Sequence, residues 1–248
     1  MLKSVPTRLV TFLALAAVLL CLTLAVSYRL IRPGLTAFNA ARQSALYLAD
    51  GLRRTSDDLT RMARLYAITG NPDYRTWFNE ILDIRNGLSP RPDRYFDVPY
   101  WDLVLVSGEH GGEEGEPVSI RTLVHEAGLY EAETAELERA EDASNELAVI
   151  ENEIMDVVAG QVEAGEGEYA LEGEALAAAL RLYGPEYHAA KARVMEPLVE
   201  LDRKVGEAAA EANVGFRINY DRIMYSCIAL MTLAFVLVAF GEWQRSRR

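Results

Sequence analysis

The sequence predicts an all-α protein: an antiparallel helical bundle with long helices, flanked by two transmembrane helices. Three observations lead there. Two stretches without a charged residue, Leu9–Tyr28 and Ile223–Gly241, lie near the two ends. Between them, apolar residues recur at spacings of three and four, the period of a helix with one buried face. Gly, Asn and Pro then cut that pattern into helix-length pieces.

Residues 9–31 form the first expected membrane helix. A bilayer core takes about 20 apolar residues as a helix, with about 17 as the lower limit. A cleaved signal peptide is the rival reading, because Ala25 and Ser27 are small residues at a spacing a signal peptidase accepts. Its apolar core runs to about 7–15 residues, shorter than this stretch. An uncleaved helix is therefore expected; with cleavage, the protein is tail-anchored by its second helix. That second helix is placed at 222–241.

Charge sets the orientation. Lys3 and Arg8 precede the first stretch, and Arg245, Arg247 and Arg248 follow the second beside Glu242. Basic tails stay in the cytoplasm. The tails 1–8 and 242–248 are thus expected inside, and residues 32–221 outside, on a bacterial inner membrane. The tails hold five of the 25 basic residues and one of the 37 acids, so the middle is more acidic than the whole chain at −12. Such a balance argues against nucleic acid as a partner. The only cysteines, Cys21 and Cys227, fall in the two membrane stretches, so no disulfide staples the exported part.

A kink or short break is expected at Arg32-Pro33-Gly34. A long helix then runs from about Leu35 to Thr69. Phe38, Ala45, Leu52, Leu59 and Tyr66 occupy one heptad register, and Ala41, Leu48, Thr55 and Met62 the other. That is a bundle seam, with Thr55 as a polar interruption. Gly70 suits a left-handed cap, Asn71 caps the next helix and Pro72 suits its first turn. The second helix, about 72–86, carries Tyr74, Trp77, Phe78, Ile81 and Ile84, with Leu88 beyond it. Pro90, Pro92 and Pro99 rule out a continuous helix through an aromatic cluster of Tyr95, Phe96, Tyr100 and Trp101. Leu103–Val106 is a short apolar run; a strand there has no partner and carries little weight. Residues 107–116 read as an acidic loop.

Helices resume near Ser119, the first ending at Gly128. A long one covers 131–162, with Leu137, Ala140, Leu147, Ile150, Ile154 and Val157 on one stripe. A break is expected at 164–168 and a short helix at 173–183. Gly184-Pro185 starts the last helix, which shows Tyr187, Ala190, Val194, Leu198, Leu201, Val205, Ala208 and Ala212 at helical spacing. Nothing after Pro197 stops it, so it is expected to continue into the second membrane helix, kinked at Pro197. The junctions at Gly70–Tyr74 and Gly184–Tyr187 look alike and suggest helix hairpins at the membrane-distal end.

No catalytic signature appears: no nucleophile elbow, phosphate-cradling loop or metalloprotease helix. His110, His125 and His188 lie far apart in the sequence, with none at ligand spacing from another. No enzyme activity, metal or cofactor is expected. The segment 56–66 is the most structured polar feature. Asp57 and Arg61 lie four apart, as do Arg54 and Asp58, which places each pair on one helix face. Arg61 and Arg64 also face one way. One reading is surface ion pairing. The sharper one is a cationic patch beside aromatic residues that suits an anionic or carboxylate-bearing ligand. Its candidate residues are Asp58, Arg61, Arg64, Tyr66, Trp77, Tyr95, Tyr100 and Trp101.

Several segments carry a resemblance. Asp57–Tyr74 (DDLTRMARLYAITGNPDY), Ile81–Gly87 (ILDIRNG), Pro90–Pro92 and Tyr100–Val104 (YWDLV) resemble the extracytoplasmic helical sensory domains of bacterial transmembrane receptors. Leu123–Gly128, Ala143–Leu147 and Tyr187–Lys191 look like the same group, so the resemblance covers most of 35–215. Those domains serve chemoreceptors, histidine kinases and nucleotide cyclases. The resemblance implies a four-helix-bundle-like sensor, usually a homodimer, that binds an unknown small ligand or a periplasmic partner. Only Glu242–Arg248 follow the second membrane stretch in this sequence, without an output module. A truncated receptor, or one that uses a signalling partner in trans, is therefore expected. The rival from another class is a structural or assembly membrane protein whose helices pair with a partner protein.

Overall fold

The computed structural model describes residues 7–108, 115–164 and 171–246. The terminal residues Lys3, Arg247 and Arg248 lie outside the described residues, as do His110 and most of the segments read as an acidic loop at 107–116 and a break at 164–168. Every described element is helical. They are α1 (Thr7–Thr69), α2 (Pro72–Asn86), α3 (Tyr100–Ser107), α4 (Ile120–Glu126), α5 (Glu131–Ala164), α6 (Gly173–Arg181) and α7 (Pro185–Ser246).

One expectation is corrected here. A kink or short break was expected at Arg32-Pro33-Gly34, and α1 runs through it without a break. A proline inside a helix costs about 3 kcal/mol through one lost backbone bond and a local clash. A 63-residue helix absorbs that from its other turns. The run Leu103–Val106, where a lone strand carried little weight, lies within α3, which Pro99 precedes and Gly108 ends in the left-handed conformation at φ 70°. Four apolar residues alone do not separate the two states, and no neighbouring strand pairs with it among the described residues.

The chain divides into two compact units, Met1–Asn39 with Gly206–Arg248, and Ala40–Val205. In the first, one candidate membrane span is found among the described residues, within the stretch Gly173–Gly241; its most apolar window has a mean hydropathy of 2.4 and none of it is buried. The described part of α1 adds a shorter apolar stretch, Leu15–Ser27. Leu15, Leu19 and Leu22 are exposed there, as are Leu230, Leu233 and Leu237 of α7. Phe12, Leu15, Leu19 and Leu20 line one side of an apolar groove whose other side is Cys227, Leu230, Met231 and Ala234.

The second unit holds the core. Along the α1 seam, Ala45, Leu48, Leu52, Thr55, Leu59, Met62 and Tyr66 are buried as the heptad demands, while Phe38 and Ala41 are half-buried. Thr55 satisfies its hydroxyl within its own helix, donating to the carbonyls of Gly51 at 3.0 Å and Leu52 at 3.1 Å. Phe78, Ile81 and Ile84 of α2 face the same core, while Leu88 is left exposed. Asn71 caps α2 by accepting the Asp73 amide at 2.9 Å, and Ser119 caps α4 by accepting the Thr122 amide at 3.0 Å. Gly87 ends α2 at φ 73°, and a Cβ there would come within 2.5 Å of the Ser119 nitrogen, so only glycine fits. On α7, Tyr187, Ala190, Val194, Leu198, Leu201 and Val205 are buried as the spacing predicts, and Ala209 takes the place expected for Ala208 and Ala212. The α5 stripe drifts: Val157 is exposed and Met155 and Val158 are buried instead. Fully burying one such aliphatic or aromatic side chain contributes about 1.5–3 kcal/mol.

Long-range polar contacts give the order of the helices. Along α5, Glu136, Glu146 and Glu151 meet Lys204, Arg193 and Tyr187 of α7, so rising numbers on one helix meet falling numbers on the other. Along α1, Thr60 and Arg64 meet Tyr187 and Leu182, again in reversed order. Arg75 and Arg85 of α2 meet Asp156 and Ser144 of α5 in the same sense. Pro197 sits inside α7, which stays helical on either side. With Arg193, Glu196 and Glu200 it lines a polar groove against Arg139, Asp142 and Glu146 of α5.

Candidate ligand-binding clefts

The α1 segment 53–68 carries the polar residues that the seam leaves outside the core, and two clefts open along it. The first, of about 340 Å³, lies between α1 and the segment that leads into α3. Arg53, Arg54, Asp57, Asp58 and Arg61 line it from α1, and Tyr95, Phe96, Tyr100 and Asp102 from the other side. Its wall is aromatic. The rings of Tyr95 and Phe96, and of Tyr95 and Tyr100, stand 5.3 Å apart. Behind them Trp101, only 1 % exposed, donates its indole N–H to the Tyr95 hydroxyl at 2.8 Å. Phe96 lies flat on α1 at Gly51, where a Cβ would stand 3.0 Å from the ring.

The charges in this cleft answer one another. Arg61 bridges Asp58 and Asp102. Arg53 pairs with Asp50 at 2.7 Å and Asp57 at 3.4 Å, and Arg54 with Asp50 at 2.6 Å. The expected Asp57–Arg61 and Arg54–Asp58 pairs are not the ones formed. Arg54 instead turns back to Asp50, and Arg61 takes Asp58, one residue beyond Asp57, together with Asp102 of α3. Burial pushes the Asp58 carboxyl up to about 6, against the pull of Arg61. Asp50 is held below its ordinary value: burial acts to raise it, and the hydrogen bonds from Arg53 and Arg54 overcome that.

The second cleft, of about 520 Å³, opens on the other side of Arg61. Asp57, Thr60, Arg64, Leu65 and Ile68 line it from α1, and Tyr183, Tyr187, His188 and Lys191 from the start of α7 and the turn before it. Here Arg64 donates to the Leu182 carbonyl at 2.9 Å, and its guanidinium lies 4.7 Å from the Tyr183 ring centre and 5.4 Å from that of Tyr187. Lys191 donates to Ser56 at 2.9 Å and Thr60 at 3.2 Å and pairs with Asp57 at 2.9 Å. Burial draws the Lys191 ammonium below its ordinary range, and Asp57 opposes that.

Beneath this cleft lies a buried polar cluster that links α1, α2, α5 and α7. Tyr187 reaches Thr60 at 2.8 Å and Glu151 at 2.5 Å. Glu151 is 1 % exposed, and its second carboxylate oxygen has no hydrogen-bond partner. Burial raises its pKa, while Tyr187, Thr60, Lys191 and Arg85 favour the ionised form. Arg85, also buried, donates to Ser144 at 2.8 Å and Asn145 at 2.6 Å.

Of the eight residues singled out from the sequence, Asp58, Arg61, Tyr95 and Tyr100 line the first cleft, and Arg61 and Arg64 the second. Tyr66 is a buried seam residue whose ring faces Arg75 at 5.9 Å. Trp77 packs half-buried against Tyr74 on α2 with ring centres 5.6 Å apart, and Trp101 stands behind the wall. These three line neither cleft. Sequence reading missed Arg54, Asp102, Tyr183, Tyr187 and Lys191. A signal existed for two pairs: Arg54 lies seven residues before Arg61, and Tyr187 four before Lys191, so each pair shares a helix face. His125 pairs with Glu138 at 3.2 Å. No metal-binding group of His, Cys, Asp and Glu is found among the described residues. Compared with protein-family models, curated proteins and solved structures, the chain matches none.

Proposed function

We propose that this protein is a membrane-anchored sensory input module of bacterial signal transduction, without enzymatic activity. In this reading 40–205 is an antiparallel bundle outside the cytoplasm. It resembles the helical sensory domains of transmembrane receptors, and the reversed order of the α1–α7, α2–α5 and α5–α7 contacts supports it. The apolar stretch of α7 is one membrane helix, and Leu15–Ser27 belongs to the other. Both tails lie in the cytoplasm.

One observation carries the proposal. The two helices that line the second cleft, α1 and α7, are also the two that bear the apolar stretches. A ligand that favours one packing of α7 on α1 therefore biases a continuous helix. In this reading the protein works as a homodimer and passes the helix shift on to a signalling module, whether in the same polypeptide or in a partner.

The test uses the full chain in nanodiscs with Cys21→Ser, leaving Cys227 as a native reporter in the apolar part of α7. The expected result is a set of small molecules that raise the melting temperature and change the rate of Cys227 crosslinking between copies. A screen in which nothing shifts either readout, while chemical crosslinking recovers a stoichiometric membrane partner, sinks the sensory reading in favour of an assembly role.

A further inference from the structure

We propose that the second cleft is the binding site of a small organic acid, with its carboxylate on Arg64 and its apolar body against Tyr183, Leu65 and Ile68. The inference deepens the sensory reading by naming the ligand class. Arg64 is the starting point. The described residues give Arg61 two carboxylates and Lys191 one, yet they give Arg64 none, in a chain with 37 acids and 25 basic residues. Its recorded partners are one backbone carbonyl and two tyrosine rings, and its Nε is buried without a hydrogen-bond partner.

A guanidinium offers five N–H donors in a planar fork that fits a carboxylate with two parallel bonds. The rings beside it hold that fork in place, which lowers the entropy lost when an anion binds. The rest of the lining selects the remainder of the ligand. Ile68 is 57 % exposed and Tyr183 45 % exposed, so apolar surface stands uncovered next to the charge. Inorganic anions leave that surface wet, whereas an acid with a flat or aliphatic body covers it. The volume, about 520 Å³, is within the range of small-molecule sites. The first cleft lacks this asymmetry, because acids already hold its arginines.

Calorimetry on the full chain in detergent, with benzoate and hexanoate as probes, tests the assignment. Benzamide serves as the uncharged counterpart and inorganic phosphate as the anion without an apolar body. At least one of the two acids is expected to bind saturably, with benzamide and phosphate at least tenfold weaker. Arg64→Gln is expected to abolish the heat, and Arg203→Gln, at an exposed ion pair of α7 that lines neither cleft, to leave it within about twofold. Ile68→Glu keeps the fold readable if Arg64→Gln unfolds, because its side chain is at the surface; it is expected to weaken binding at least tenfold. Silence from both acids, or binding that survives Arg64→Gln or Ile68→Glu, overturns the site. Equal binding of phosphate overturns the apolar half of the assignment. Binding without any change in Cys227 crosslinking keeps the site and removes the sensory reading; a crosslinking response to other molecules, with both acids inert, does the reverse.

Discussion

The two clefts flank the same arginine and differ in how their charge is answered. On one side of Arg61, guanidinium and carboxylate groups pair across a rigid aromatic wall, and Trp101 anchors that wall in the core. On the other, Arg64 stacks between rings of the α6–α7 junction and meets no carboxylate among the described residues. Arg61 and Arg64 stand three residues apart on one helix. Their side chains nevertheless leave in different directions, because α3 and α7 approach α1 from different sides. A charge cluster in a sequence thus becomes a site only where the tertiary neighbours leave some of the charge unspent.

The sharpest way to break the comparison is Trp101→Ala. It removes the anchor of the first wall, and truncating a fully buried tryptophan costs about 3–5 kcal/mol. Denaturant unfolding of the full chain in detergent checks it, and a loss below about 1 kcal/mol would contradict the wall's role. Next comes Tyr187→Phe, which removes the hydroxyl that meets Thr60 and Glu151 beneath the second cleft. Leaving such buried groups unmet costs about 1–3 kcal/mol by the same measurement.

The third prediction is a pH dependence. A carboxyl whose pKa is raised in the folded state binds its proton more tightly folded than unfolded. Its contribution is therefore present at low pH and lost as pH rises through the folded value. For Asp58 the window runs from the ordinary 3.8 to about 6. Asp58→Asn is expected to flatten the fall in melting temperature across that window. A remaining slope of the same sign belongs to Glu141 and Glu151, whose carboxyls burial also raises. An unchanged profile would show that Asp58 contributes no such term. The smallest effect is expected from Tyr183→Ala, a half-exposed residue at the rim, at about 0.5 kcal/mol or less. A larger loss would mean that the second cleft, like the first, rests on a structural wall.

Much of the fold was legible because packing repeats. Ala45 through Tyr66 form the α1 seam that their heptad spacing predicts, and Gly70, Asn71 and Pro72 end and restart the helix where turn chemistry places them. The break expected at Pro33-Gly34 rested on local preference, a weak guide that a long helix overrides. The acids Glu136, Glu141 and Glu151 are buried in α5. Glu136 has Arg139 three residues on, but Lys204, Arg121 and Tyr187, which meet the three acids from other helices, are remote in sequence. The site was half legible for the same reason. Charge and aromatic content pointed to the stretch of α1 along which both clefts open, but the partition into paired and unpaired arginines depends on α3 and α7.

Pro197 adds a last consequence. It has no amide proton, so the Arg193 carbonyl one turn back lacks its donor within the helix. Arg193 and Pro197 both line a polar groove. In terms of amide exchange, α7 is therefore two protected runs joined at a rung that is missing. Opening that starts near Tyr187 and Lys191 has a natural place to stop there, and a helix that reads as one rod carries its own boundary between two cooperative segments.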